Sequence, residues 1–132
     1  KVSKERGADV HILLGARSEK DHILLDEFAK YGEVYLTTDD GSLGIRGFVV
    51  DHPILNENSG INHIYCCGPE IMMKSVALKA ISLNSECEVS LENLMACGFG
   101  VCLCCVTKTN DGNKCVCTEG PVFNTKDLQW EI

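Results

Sequence analysis

The chain has 132 residues, 45% of them hydrophobic, with a formal net charge of -7 at pH 7, which suits one domain or one and a half around a modest core. The negative balance argues against a nucleic-acid footprint or an anionic membrane surface. No apolar run approaches the ~20 residues that span a bilayer, and no signal-peptide pattern opens the chain, so a cytoplasmic protein is expected.

Lys1 to Gly7 reads as the exposed end of a helix stopped by glycine. With no initiator Met, the chain is expected to be a piece whose N-terminal part is absent. Asp9 to Gly15 is a short apolar run rich in branched residues, as in a buried parallel strand. Ser18 is a plausible N-cap, and Ile23, Leu24, Phe28 and Tyr31 recur at helical spacing until Gly32. Glu33 to Thr38 reads as the next strand, ended by a turn at Asp39-Asp40-Gly41-Ser42. A loop-rich stretch runs through Pro53 and Gly60, and Asn62 to Cys67 makes a third strand. Gly68-Pro69 then turns into a helix, with proline at its first position and Ile71, Met72, Val76, Leu78, Ala80 and Ile81 supplying apolar surface. Strands alternating with helices predict an α/β fold with a parallel sheet.

The pattern changes near Ser85, where we place a domain boundary, giving segments 1–85 and 86–132. Glu86 to Glu92 alternates in strand fashion. Cys104 to Thr109 and Lys114 to Cys117 flank Asn110-Asp-Gly-Asn113, a hairpin turn whose Asp-Gly suits positive φ. The second segment is expected to be small and mostly β.

Nine cysteines without a secretory signal favour metal binding or redox chemistry over a disulfide framework, and six of them fall between 97 and 117. Cys97, Cys102 and Cys105 follow the C-x4-C-x2-C spacing of a plant-type [2Fe–2S] site with a distant fourth thiolate. Gly98 and Gly100 let backbone N–H groups approach such a cluster. Cys104 adjoins Cys105 but points the other way if the strand is extended. Cys115 and Cys117 share one face for the same reason, so either suits as fourth ligand. A four-thiolate zinc ribbon from Cys102, Cys105, Cys115 and Cys117 is the alternative, but it leaves Cys97 and the glycine loop unexplained. The four histidines show no paired ligand spacing, and His11 and His63 read as buried strand residues. Met72, Met73 and Trp130 read as packing residues.

Ser90 to Val106, with Cys117-Thr-Glu-Gly-Pro-Val-Phe123, closely resembles the electron-transfer subunits of NAD-linked (type 1B) dihydroorotate dehydrogenases. Leu14-Gly-Ala-Arg-Ser18, Thr38-Asp-Asp-Gly-Ser42 and Tyr65-Cys-Cys-Gly-Pro69 extend the resemblance nearly end to end. It implies metal ligands at Cys97, Cys102, Cys105 and Cys117, the last by alignment on the Gly-Pro-Val-Phe tail. Cys66, Cys104 and Cys115 are then extra thiols. It also implies a ferredoxin-reductase-like subunit: an FAD-binding β-barrel, a Rossmann-like NAD domain, then the cluster segment. This chain is expected to hold the last two, without the barrel, the first nucleotide-domain strand or its Gly-rich turn.

The resemblance implies nucleotide contacts at the strand ends: Gly15, Ala16 and Arg17 toward the adenosine, Asp39, Asp40, Gly41 and Ser42 beside it, and Cys67, Gly68 and Pro69 toward the nicotinamide. Asp39-Asp40-Gly41 is also ordinary turn chemistry. The first strand ends without the acidic residue that commonly holds an NAD ribose, and Arg17 suits a 2′-phosphate, so the local residues leave NAD and NADP open. The family role is an electron relay between FMN of a separate catalytic subunit, in a heterotetramer, and FAD and NAD, in pyrimidine biosynthesis. No catalytic residue is expected in this chain. Related subunits of sulfide dehydrogenase type, which tend to carry Asp at the first ligand position, are the runner-up; a non-enzymatic zinc-binding module is the other.

Overall fold

A computed structural model describes residues 1–130. The chain parts into two compact units, the first ending at Ile54 and the second beginning at Leu55.

In the first unit a single helical turn, α1 (Val2–Glu5), is exposed and gives way to Gly7 at φ 81. The branched runs form β1 (His11–Ala16) and β2 (Glu33–Thr38), parallel and in register from His11 opposite Glu33 to Ala16 opposite Thr38. A two-residue strand, β3 (Ile45–Arg46), extends the sheet on the far side of β2. The apolar residues of β1 are half-buried rather than buried, whereas Thr37 and Thr38 at the end of β2 are fully covered. Gly15 faces Val49, buried in a short 3-10 turn, and a Cβ on the glycine would meet the Val49 Cγ1 at 2.6 Å. Sequence reading took that region as loop.

The single helix expected from Ser18 to Gly32 is broken. Ser18 caps only a 3-10 turn (Glu19–Asp21), through the Asp21 carboxylate that accepts from its N–H and hydroxyl. Leu24 then takes a left-handed φ of 57, and α2 (Leu25–Ala29) starts after it. That conformation ends helical continuity, so Ile23 and Leu24 lie exposed instead of on a core face.

In the second unit β4 (His63–Cys67) runs parallel to β5 (Glu86–Ser90), with α3 (Glu70–Ser82) between them in the chain. Pro69 is the N-cap of α3, one position before the expected one. The buried face of α3 is Met73, Val76, Ala77 and Ala80, while Ile71, Leu78 and Ile81 are exposed. The buried four follow the i, i+3, i+4, i+7 rule; the exposed three lie on another face of the same helix.

Beyond β5 the chain makes an irregular loop, the hairpin β6 (Val106–Thr109) and β7 (Gly112–Cys115), one helical turn α4 (Val116–Glu119), and β8 (Val122–Asn124). β8 returns antiparallel to the free side of β5, with Val89 opposite Phe123. Val89, Val116, Cys87 and Cys105 are fully buried here. Because β5 is paired to both β4 and β8, residues on either side of 85 share one compact unit.

Candidate cluster and nucleotide sites

The six clustered cysteines all belong to the second unit. Gly98 and Gly100 sit at φ 76 and 84, a backbone that side chains resist and that turns successive N–H groups toward one point. That point is the Cys97 sulfur. It accepts the Cys102 N–H at 3.5 Å. The Cys102 and Phe99 amides, with the Cys102 thiol, pull the Cys97 thiol down to about 6.

Cys105 is anchored differently. It is buried at the foot of β6, and its sulfur accepts the Cys117 N–H at 3.4 Å, which lowers its pKa. The Asn93 side-chain amide donates to the Cys105 and Val106 carbonyls, each at 3.4 Å, fixing the same corner. The Cys117 thiol is held up by its hydrogen bond to Cys105 and by burial, against the Gly100 N–H that favours its thiolate.

Two backbone bonds thus link the four residues in pairs, the Cys102 N–H to the Cys97 sulfur and the Cys117 N–H to the Cys105 sulfur. Among the described residues, no three His, Cys, Asp or Glu side chains gather around a point as a single ion requires. Two pairs cradled by amide N–H groups are a donor set that suits two irons bridged by sulfide. It suits one tetrahedral zinc poorly.

Cys115 ends β7 but Cys117 lies in α4, so strand alternation does not put them on one face. Cys104 precedes β6 behind Leu103, at φ 57, and is exposed while Cys105 is buried, a separation made by the turn and not by a strand. The Cys104 thiol points to the Cys102 carbonyl at 3.8 Å, and its hydrogen bond with the Cys102 thiol raises its pKa. The Cys115 thiol donates to the Gly100 carbonyl at 3.9 Å and is raised by burial first, then by the charges of Cys105 and Glu119. His63 is exposed, stacked on Tyr65 and 3.1 Å from the Glu88 carboxylate; the buried histidine is His52.

The residues expected at a nucleotide fall in both units. In the first, Gly15 and Ala16 end β1, Arg17 follows, and Asp39 to Ser42 follow β2. The Asp39 N–H donates to the Ala16 carbonyl at 3.1 Å and the Asp40 N–H to that of Arg17 at 3.3 Å, so these strand ends are brought together. Asp40 accepts from the Ser42 hydroxyl and N–H, which lowers its pKa, and Ser42 in turn accepts the Glu19 N–H at 2.8 Å.

In the second unit Cys67, Gly68 and Pro69 join β4 to α3. Gly68 has φ 149, and a Cβ there would meet the Met72 methyl at 2.5 Å. A cleft of about 400 Å³ opens at this turn, lined by Gly68, Pro69, Glu92, Asn93, Lys108 and Trp130 among others. The Cys67 thiol donates to the Glu92 carboxylate at 3.6 Å; burial and that hydrogen bond raise the thiol. Glu92 and Asn93 fall in the Ser90 to Val106 segment that carries the family resemblance, Lys108 carries no motif of its own, and Trp130 reads from sequence as a packing residue, so their place beside this cleft comes from the structure.

Residues 92–129 match the iron–sulfur cluster binding domain of dihydroorotate dehydrogenase B, and residues 1–78 match the oxidoreductase NAD-binding domain. Among curated proteins, the probable dihydroorotate dehydrogenase B (NAD(+)) electron transfer subunit of Methanocaldococcus jannaschii is 41% identical over 122 residues, covering 90% of this chain and 46% of that protein. The electron transfer subunit of Clostridium perfringens is 42% identical over 111 residues (83% of this chain, 44% of its own length). That of Fusobacterium nucleatum is 38% identical over 136 residues (99% and 51%). The chain belongs to the family of dihydroorotate dehydrogenase B electron transfer subunits.

It spans about half the length of the curated relatives it matches. A solved structure of an NADH-dependent reduced ferredoxin–NADP oxidoreductase, described for flavin-based electron bifurcation, superposes with a TM-score of 0.79 at 33% identity, over 96% of this chain and 46% of that one. The α/β fold with parallel strands is therefore that of a ferredoxin-reductase-like neighbour. The cofactors of this family's electron transfer subunits are a [2Fe–2S] cluster, FAD and NAD. Among the described residues, no helix is long and apolar enough to cross a membrane.

Proposed function

We propose that this chain serves electron transfer in a dihydroorotate dehydrogenase of pyrimidine biosynthesis, between FMN in a catalytic partner subunit and the FAD and NAD of its own subunit. Cys97, Cys102, Cys105 and Cys117 would hold the [2Fe–2S] cluster. Bound there, the cluster supplies one-electron transfer between two-electron carriers. The carrying observation is the Cys102 N–H on the Cys97 sulfur beside the Cys117 N–H on the Cys105 sulfur, bonds that stabilise thiolate ligands.

The chain's own residues do the positioning. Gly98 and Gly100 bring amides to sulfur, the core fixes Cys105, and α4 presents Cys117. Phe99, Val101 and Leu103 stay exposed around the loop and supply apolar surface for a partner subunit, in the heterotetramer expected of the family. Gly15 to Arg17 and Asp39 to Ser42 would contribute to the adenosine side of a nucleotide site, and Cys67 to Pro69 to the nicotinamide side. The nine free cysteines fit a reducing, cytoplasmic setting.

Metal analysis tests the reading. Iron and acid-labile sulfide in equal amounts, with visible absorption bleached by dithionite, are expected; zinc without sulfide overturns it. Restored dihydroorotate oxidation by NAD on adding an FMN-bearing partner separates this role from a sulfide dehydrogenase subunit.

A further inference from the structure

Resting on that cluster reading, the next inference concerns the neck of the ligand loop. The chain leaves β5 through buried Leu91, whose N–H donates to the Pro121 carbonyl at 2.9 Å, and passes Asn93 before entering the glycine loop. It returns at Cys105, the foot of β6. Across the gap between these two ends, the Asn93 side-chain NH2 donates to the Cys105 and Val106 carbonyls, each at 3.4 Å. A carboxamide carries two donor hydrogens, one for each acceptor. The Cys105 carbonyl also accepts the Val116 N–H at 3.1 Å, so Asn93 clasps backbone that the hairpin already holds.

Residues 94–104 thus form a loop of the Ω kind, with its two ends drawn together. Cys97 and Cys102 lie within it, and at its return end stands Cys105, whose sulfur accepts the Cys117 N–H. Leu94, Phe99, Val101 and Leu103 along the loop are exposed, so burial does little to hold it. Gly98 and Gly100 widen the range of backbone conformations open to it. Fixing the neck narrows that range before a metal group arrives, since a loop already closed has less entropy left to lose on binding. Asn93 is the side chain that fixes it, and both of its bonds go to the backbone at a ligand position.

We propose that Asn93 is a positioning residue of the cluster site, which closes the ligand loop at its neck and so holds the Cys97 and Cys102 half of the thiolate set to the Cys105 and Cys117 half. Two variants of the cluster-bearing protein test this. Asn93→Ala removes the clasp; Asn93→Asp keeps its size, but an ionised carboxylate donates nothing to the two carbonyls. The readouts are the rate of iron release to a chelator, and the visible circular dichroism and EPR g values of the cluster. Thermal unfolding of the metal-free proteins reports separately on the fold. Expected in both variants are iron release about 10-fold faster or more, the scale for losing a group that orients a metal ligand, and altered cluster spectra, with metal-free unfolding close to wild type. Wild-type release and spectra in Asn93→Asp overturn the proposal while leaving the cluster reading intact. Faster release with unchanged spectra and a lowered metal-free transition overturns it too, since Asn93 then only supports the fold. Wild-type protein without iron and sulfide removes the cluster reading itself.

Discussion

The backbone N–H of Cys117 donates to the Cys105 sulfur at 3.4 Å, joining a helical turn to the foot of the hairpin through the atom that would bind metal. Loss of the Cys117 sulfur removes one of two thiols in that pair. Cys117→Ser is expected to abolish the visible spectrum and to drop bound iron and sulfide to background. Cys104→Ser, at an exposed thiol directed to a carbonyl, should retain both. A spectrum that survives Cys117→Ser contradicts the assignment.

Gly68 meets two constraints at once, a φ of 149 and the Met72 methyl. Gly68→Ala should destabilise the second unit by roughly 1–3 kcal/mol, the range for a side chain forced into a disfavoured backbone. Thermal or urea unfolding measures it. NAD affinity should fall further than stability alone explains if this turn faces the nucleotide, and calorimetry on the folded variant checks that.

The Glu86 carboxylate at the start of β5 is lowered by Lys126 first, then by Asn124, the last residue of β8. A carboxylate with a lowered folded value adds stability that is complete above its ordinary value of 4.5 and lost as pH falls through the folded one. Lys126→Met should raise the Glu86 titration midpoint, read by carboxyl NMR, and narrow the difference in stability between neutral and mildly acidic pH. Both groups are exposed, so the effect shrinks with added salt.

Val116 is fully buried where β7 becomes α4, one residue before Cys117. Val116→Ala removes two methyl groups from a packed site and should cost about 2 kcal/mol in chemical denaturation. Because the cavity lies under a proposed ligand, cluster loss on standing in air should quicken as well. An equal rate in wild type and variant shows that this packing does not hold the ligand.

The cysteine spacing was legible because the chemistry needs those residues at those intervals, and strands β1, β2 and β4 because branched runs between turns have few other uses. The break at Leu24 was not, since no local residue there demands a left-handed φ. The face of α3 was misread because Ile71, Leu78 and Ile81 are as apolar as the residues it buries. At the site, the ligand set came from the family resemblance, whereas the bond of Cys115 to Gly100 and that of Cys67 to Glu92 join residues far apart in the chain and arise only on folding.

The two anchorages of the sulfurs make the site uneven as a chelator. Cys105 is embedded in the core and Cys117 is bonded to it, so that half is in place in the folded chain before metal arrives. Cys97 and Cys102 ride on a glycine loop whose large side chains face outward. Incoming iron and sulfide would therefore meet a buried seat and an exposed cover. Oxidant arriving from solvent is expected to reach the cover first and the seat last.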